Sequence, residues 1–294
     1  MKRIAYITLA LFTLSCGSEP EYDAQGTFEA TEVIVSSEAN GRIMDFVIEE
    51  GMEIAGGECL GTIDSMQLHL QREQLMAQQA ALLASRPDVN MQVASLREQI
   101  AKQRSELRRV ESMLKDGAAT QKQYDDIEAQ IKVLEGQLNA TLSTLDKNTA
   151  TINNNAAALE AQIASLDDLI AKCRIESPIS GTVLVKYAEA GELATVGKPL
   201  MKVADLNNIY LRAYFTSEQL ANIALGDKVK VVANFGGDER YDYEGEIVWI
   251  ASESAFTPKN IQTNDSRSNL VYAVKIAVKN DGRIKIGLAG EVIL

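Results

Sequence analysis

The stretch GRIMDFVIEEGMEIAGGECL, residues 41–60, returns as GTVLVKYAEAGELATVGKPL at residues 181–200. A displacement of 140 residues sets Gly41 on Gly181, Gly51 on Gly191, Gly57 on Gly197 and Leu60 on Leu200. The apolar positions follow, Ile43 on Val183 and Ile63 on Val203. Glycines at fixed offsets among β-branched residues read as short strands punctuated by turns. One such ribbon is too small to be stable by itself, whereas two can close on each other. The roughly 120 residues between the copies must then leave the module and return to it.

Those intervening residues are helical in pattern. Val89, Val93, Leu96, Ile100, Gln103, Leu107, Val110 and Leu114 alternate steps of four and three, a heptad seam. After Asp116-Gly117-Ala118-Ala119 the pattern restarts with Tyr124, Ile127, Ile131, Leu134, Leu138, Thr141, Leu145, Asn148 and Ile152. Thr120 with Gln123 forms a capping box, so a new helix begins there, and Gly117 suits the stop of the helix before it. Two helices joined by so short a turn fold back antiparallel, with the tip near residues 117–120. Pro87 interrupts the first arm. Asn148 and Asn153-Asn154-Asn155 weaken the second at the same height, which predicts a shared joint near residues 87 and 149.

The flanks complete the division. Met1-Lys2-Arg3, the apolar run Ile4 to Leu14 and Ser15-Cys16-Gly17 read as an export signal over residues 1–16, too short to span a bilayer. Its lipobox-like end predicts lipidation of Cys16 and a membrane anchor, with plain secretion as the alternative. Residues 17–25 are a tether, 26–65 the first β-half with its opening strand, 66–173 the helical hairpin and 174–205 the second β-half. Residues 206–294 alternate strands and turns in the manner of a small antiparallel barrel, with a short helix from Ser217 through Ala224. An oxidising compartment permits a disulfide between Cys59 and Cys173, but their apolar neighbours favour two unpaired core thiols. A net charge of −12 argues against nucleic acid as partner.

Several segments, in order, carry a resemblance. GTFEATEV at residues 26–33, IESPISGTV at 175–183, LGDKVKV at 225–231 and FTPKNIQT at 256–263 are similar to the periplasmic adaptor (membrane fusion protein, HlyD-like) family. The resemblance implies an α+β, multidomain, elongated chain: a split biotinyl/lipoyl-like β-sandwich, an antiparallel coiled-coil hairpin inserted in it, and a β-barrel. It implies a periplasmic, membrane-anchored subunit of a Gram-negative tripartite efflux or secretion system. Its partners would be an inner-membrane transporter, a TolC-like outer-membrane channel and further copies of itself in a trimeric or hexameric ring. An ABC permease is favoured as the transporter because no further membrane-proximal domain is evident, and a proton-driven pump is second. Arg109, Met113 and Thr120 match the spacing with which such adaptors dock the channel. A scaffold lipoprotein that binds another protein through its hairpin is the alternative.

No catalytic constellation is legible. The single histidine, His69, reads as a surface residue, and no Cys-x-x-Cys or paired histidines offer a metal site. Asp125-Asp126 and Asp167-Asp168 read as solvated helix faces. Both β-halves end without the lysine tip that carries a cofactor in lipoyl domains, at Asp64-Ser65 and Ala204-Asp205. The expectation is therefore no enzyme, no cofactor and no metal.

Overall fold

The computed structural model describes residues 22–236, 239–256 and 270–294. Cys16 and the barrel segment 257–263 fall outside the described residues. The chain forms two compact units, one from the residues up to Ile63 with those from Arg174 onward, the other Asp64–Cys173. In chain order the elements are β1 (Ala24–Ser36), β2 (Gly41–Phe46), β3 (Glu53–Ile54) and β4 (Cys59–Ile63), then α1 (Met66–Ala84), α2 (Val89–Lys115) and α3 (Gln121–Ala171). There follow β5 (Arg174–Glu176), β6 (Gly181–Lys186), β7 (Leu193–Ala194), β8 (Pro199–Thr216) and α4 (Ser217–Leu220). The chain ends with β9 (Lys228–Asn234), β10 (Arg240–Ile250), β11 (Ala255–Phe256), β12 (Leu270–Lys279) and β13 (Ala289–Ile293).

The two β-copies meet as the halves of one sandwich, and their bonds are reciprocal. The Gly51 amide donates to the Val183 carbonyl at 2.8 Å, and the Gly191 amide to the Ile43 carbonyl at 2.7 Å. Gly57 donates to Ser177 at 2.7 Å, and Gly197 to Ser37 at 2.8 Å. Strand pairing repeats the exchange, with Gly41 opposite Ala194 and Gly181 opposite Ile54. Two buried hydroxyls close equivalent turns: Ser37 Oγ donates to the Ala39 carbonyl and Ser177 Oγ to the Ile179 carbonyl, each at 2.7 Å. The shared core is built from matching positions, Ile43 with Val183, Leu60 with Leu200 and Ile63 with Val203, all buried. Gly51, Gly57, Gly191 and Gly197 take φ of 90°, 78°, 93° and 85°. That left-handed region disfavours any residue with a Cβ, which is why the same turns demanded glycine in both copies.

The barrel is a closed ring of six strands, β1, β8, β12, β10, β9 and β13. Phe28, Leu211, Phe215, Val231, Ile247, Ile276 and Val292 fill it. Its wall is not separate from the sandwich. β1 and β8 run through both bodies, so the expected division at 205/206 falls inside a strand, and the opening strand from Gly26 serves the barrel before the sandwich. The change of body is a bulge: Ala30 pairs with Ile209 and Thr31 with Asp205, leaving Leu206, Asn207 and Asn208 unpaired with β1. Asp205 holds the bulge, its carboxylate accepting from the Asn207 amide (3.1 Å), the Asn208 amide (3.3 Å) and the Asn208 side chain (2.8 Å). Asn280 clamps it from the other side, donating to the Leu206 carbonyl at 2.8 Å and the Ile284 carbonyl at 3.0 Å. α4 is shorter than expected: it stops at Leu220, and Asp227 accepts the Ala224 amide at 2.7 Å in the turn that follows.

In the helical unit α1 and α2 pack on α3. Val93, Ile100 and Val110 of α2 are buried, as are Ile131, Leu134, Leu145, Ala156 and Leu166 of α3. The first arm breaks between Ala84 and Val89, where Asp88 caps α2 by accepting the Met91 amide at 3.1 Å. The second arm does not break, contrary to the expected joint near residue 149: α3 continues through Asn153-Asn154-Asn155, which all face solvent. Each asparagine costs the helix about 0.5 kcal/mol, less than the packing of Ile152 and Ala156 beside them returns. The seam adjusts instead by a stutter. Thr141 and Leu142 are both half-buried, after which the inward positions are Leu145, Thr149, Ile152, Ala156 and Leu159.

Cys59 is a further departure. It is exposed, with Sγ 3.6 Å from the Gly61 carbonyl, while Cys173 is buried; both are free. Cys59 lies on a strand whose inward positions are Leu60 and Ile63, so its apolar neighbours turn away from it. Burial, with the nearby Asp64 charge, pushes the Cys173 thiol above its ordinary range.

Hydrogen bonding from the Asn208 side chain, seconded by the Asn208 and Asn207 amides, holds the Asp205 carboxyl below the usual range against a small opposing effect of burial. A depressed folded-state value gives stability that is complete above the unfolded value and lost as pH falls towards the folded one. Asp205→Ala is therefore expected to lower stability by about 1 kcal/mol, screening by solvent included. In urea titrations of the full chain that difference should be complete at neutral pH, begin to shrink below about pH 4 and vanish only below the lower folded-state value.

Candidate functional site

The turn between α2 and α3 is closed by local bonds. Backbone amides of Asp116, Gly117 and Ala118 donate to the carbonyls of Ser112 (3.2 Å), Leu114 (3.1 Å) and Met113 (2.7 Å). Gly117 takes φ 75°, the left-handed residue past the helix end that ends many helices. At Thr120 both halves of a capping box are formed: its hydroxyl oxygen accepts the Gln123 amide, and its own amide donates to Gln123 Oε1 at 2.9 Å.

The three residues singled out for docking differ in what they have free. Arg109 is exposed, its guanidinium donating to Glu106 one turn earlier on the same helix. Met113 is 40% exposed and lies four residues on, hence on the same helix face, while Leu114 turns into the seam. Thr120 is committed: its hydroxyl also points at Gln123 Oε1, at 3.1 Å, so both its hydrogen and a lone pair are used by the cap. Of the three, Arg109 offers a cation and Met113 an apolar side chain to solvent, with Thr120 as their scaffold.

Other expected features also find their places. His69 is exposed. Asp125 and Asp126 are exposed, but Asp167 is more than a solvated face, since it receives Arg72 Nε from the opposite arm at 2.5 Å. Gln79 likewise crosses to the Ala156 carbonyl at 3.1 Å, and Arg104 to Glu135 at 2.6 Å. Arg72 and Gln79 precede Val89, where the seam was taken to begin, and Arg104 lies beside the seam position Gln103. Extended backwards with the same steps, the seam passes through Leu82, Gln79, Leu75, Arg72 and Leu68. Among the described residues no group of three or more His, Cys, Asp or Glu could hold a metal ion. No described helix is long and apolar enough to cross a membrane.

The fold and a sequence comparison now meet. Residues 31–206, spanning both β-copies and the helices between them, match the family described as "RND MFP, barrel-sandwich hybrid domain". The chain belongs to this family of membrane fusion proteins. Two solved structures share its fold: MacA from Actinobacillus actinomycetemcomitans (TM-score 0.55, 18% identity, 92% of this chain and 76% of that one) and the membrane fusion protein Spr0693 from Streptococcus pneumoniae R6 (TM-score 0.54, 15% identity, 92% and 99%). A "UPF0194 membrane protein" of Yersinia pseudotuberculosis serotype O:3 is 29% identical over 102 residues, 35% of this chain and 30% of the relative. One from Acidithiobacillus ferridurans is 29% identical over 117 residues, 39% and 34%. The membrane fusion protein described here is thus matched along about a third of those relatives.

A division of labour at the tip follows. Thr120→Ala should lower the stability of the hairpin by about 1 kcal/mol while Thr120→Ser restores it. Arg109→Ala should change stability by less than about 0.5 kcal/mol. Helical ellipticity of the full chain during thermal unfolding reads both.

Proposed function

We propose that this membrane fusion protein is the periplasmic adaptor of an efflux or secretion system, joining an inner-membrane transporter to an outer-membrane channel. The observation that carries the reading is the tip itself, where Arg109 and Met113 stand exposed beside a turn whose amides at Asp116, Gly117 and Ala118 are satisfied. A guanidinium presents a rigid fork to carboxylates and carbonyls. An apolar side chain one turn away can enter a groove between a channel's helices. Arg109 and Met113 would therefore contact the channel directly, with Thr120 holding the helix start that positions them.

Lipidation of Cys16 would hold the chain at the inner membrane of a Gram-negative cell, and several copies would enclose the conduit as a trimeric or hexameric ring. For the transporter, the RND in the family's description favours the proton-driven class over the ABC permease favoured from the sequence. The chain would act by bridging, without catalysis.

A photocrosslinking amino acid at position 113 in growing cells tests this. Capture of an outer-membrane channel is expected, and capture of envelope structural proteins alone would replace the adaptor by a scaffold. Purification of the full chain under mild detergent should bring down an RND-type transporter, and recovery of an ABC permease instead would reverse the preference between classes.

A further inference from the structure

Two copies of one backbone provide an internal control. A feature required by the fold should recur in both, and a feature that one copy has and the other lacks must have another reason. At the ribbon turns next to Gly51 and Gly191 the copies diverge. Met44, Asp45, Glu50 and Met52 of the first copy correspond to Leu184, Val185, Ala190 and Glu192 of the second.

These divergent residues line one cleft of about 840 Å³. Phe46 and Ile48, both buried, line it together with the exposed Met44, Val47 and Met52. Lys186 and Ala190 line it too, and they are the counterparts of Phe46 and Glu50. The cleft therefore straddles the axis that relates the halves, yet its chemistry comes from the first. Val47 is 74% exposed and Met44 59%, an apolar surface that the fold does not need to leave open.

The charges around it are unbalanced. Lys186 is the cleft's one lysine; its ammonium is paired with Glu189 at 2.6 Å and lies 5.7 Å from the Phe46 ring centre. Asp45 accepts from the Thr62 hydroxyl and Glu50 from the Lys186 amide, neutral donors that leave each carboxylate its charge. Glu49 has no hydrogen-bond or ion-pair partner for its carboxylate among the described residues, and it faces solvent at the cleft. An apolar floor and mobile methionine walls under a surplus of negative charge suit one class of guest. The volume lies within the range of small-molecule sites. Methionine walls adapt to varied shapes, and carboxylates without a cationic partner attract cations.

We propose that this cleft binds lipophilic cations, molecules with a bulky apolar body and a positive charge. The physiological sense of such a site, contact with cargo in transit, rests on the adaptor reading above, while the binding does not.

Two probes of the same shape and opposite charge separate the contributions: tetraphenylphosphonium and tetraphenylborate. The full chain in lipid nanodiscs, labelled with ¹³C at the methionine methyls, reports site by site, with Met44→Leu and Met52→Leu giving the assignments. Tetraphenylphosphonium should shift the Met44 and Met52 signals saturably. Glu49→Gln, which breaks no bond, should weaken that binding about threefold, as expected for one charge at roughly 6 Å in watery surroundings. Tetraphenylborate should shift neither signal saturably. Equal response to both ions, or no saturable shift at Met44 and Met52, would overturn the proposal. Either result is independent of crosslinking at Met113, so failure here and failure of the adaptor reading are told apart.

Discussion

The exchange of backbone hydrogen bonds between the two β-copies, Gly51 to Val183 and Gly191 to Ile43, is the constraint from which the rest of the chain's organisation follows. Each copy by itself has short strands, one of them of only two residues, which no local interaction would hold. Joined, they satisfy one another's amides and bury matching apolar faces. The cost is the closure of a loop running from Asp64 to Cys173. For a flexible chain, lengthening a tight turn to that size costs about 3 kcal/mol. The insert reduces even this, because its arms pair with each other through the seam and through Arg72 with Asp167. A helical hairpin is thus a cheap insertion as well as a long one, and its 51-residue second arm extends about 75 Å at the usual helical rise.

The sandwich passes its order to the barrel through covalent continuity. β1 and β8 belong to both, so the two bodies share two strands and not merely a linker. Three residues on β8 without partners on β1 give the place where the strand pair changes direction, and Asp205 and Asn280 satisfy the groups exposed there. Three β8 residues opposite none on β1 form a larger irregularity than the single extra residue of an ordinary bulge. It remains stable because the freed amides of Asn207 and Asn208 and the freed carbonyl of Leu206 all find partners.

What could be read from the sequence was local or, like the two β-copies 140 residues apart, marked by repetition. The glycine spacing, the α2 seam and the Thr120 capping box each depend on residues a few positions apart, and each stands as a feature of the structure. What escaped depended on distant partners. β8 returns to its inward positions at Ile209 after the interruption at 206–208, and only its pairing with β1 on both sides of that interruption shows that one strand serves two bodies. The helix-breaking tendency of Asn153-Asn154-Asn155 was visible, but the packing of Ile152 and Ala156 that overrides it was not. Cys59 has apolar neighbours in sequence on a strand whose alternation turns it the other way. The cleft beside Gly51 draws on residues 44–52 together with Lys186 and Ala190, and only the closed sandwich brings them together.

At the tip, the proposed adaptor role would divide one residue pattern between structure and recognition. A hydroxyl engaged in a capping box has little left to offer a partner, so under the proposed adaptor role the recognition load would rest on Arg109 and Met113. Arg109 already holds Glu106, yet that pair does not disable it. Exposed ion pairs along a helix are worth only about 0.5 kcal/mol, so the guanidinium can exchange Glu106 for a better-placed acceptor at small loss. Until then the pair keeps a long side chain from wandering over the helix. A weak internal partner of that kind reduces the entropy lost when a stronger external one arrives, and Met113 beside it supplies the apolar contact that water disfavours.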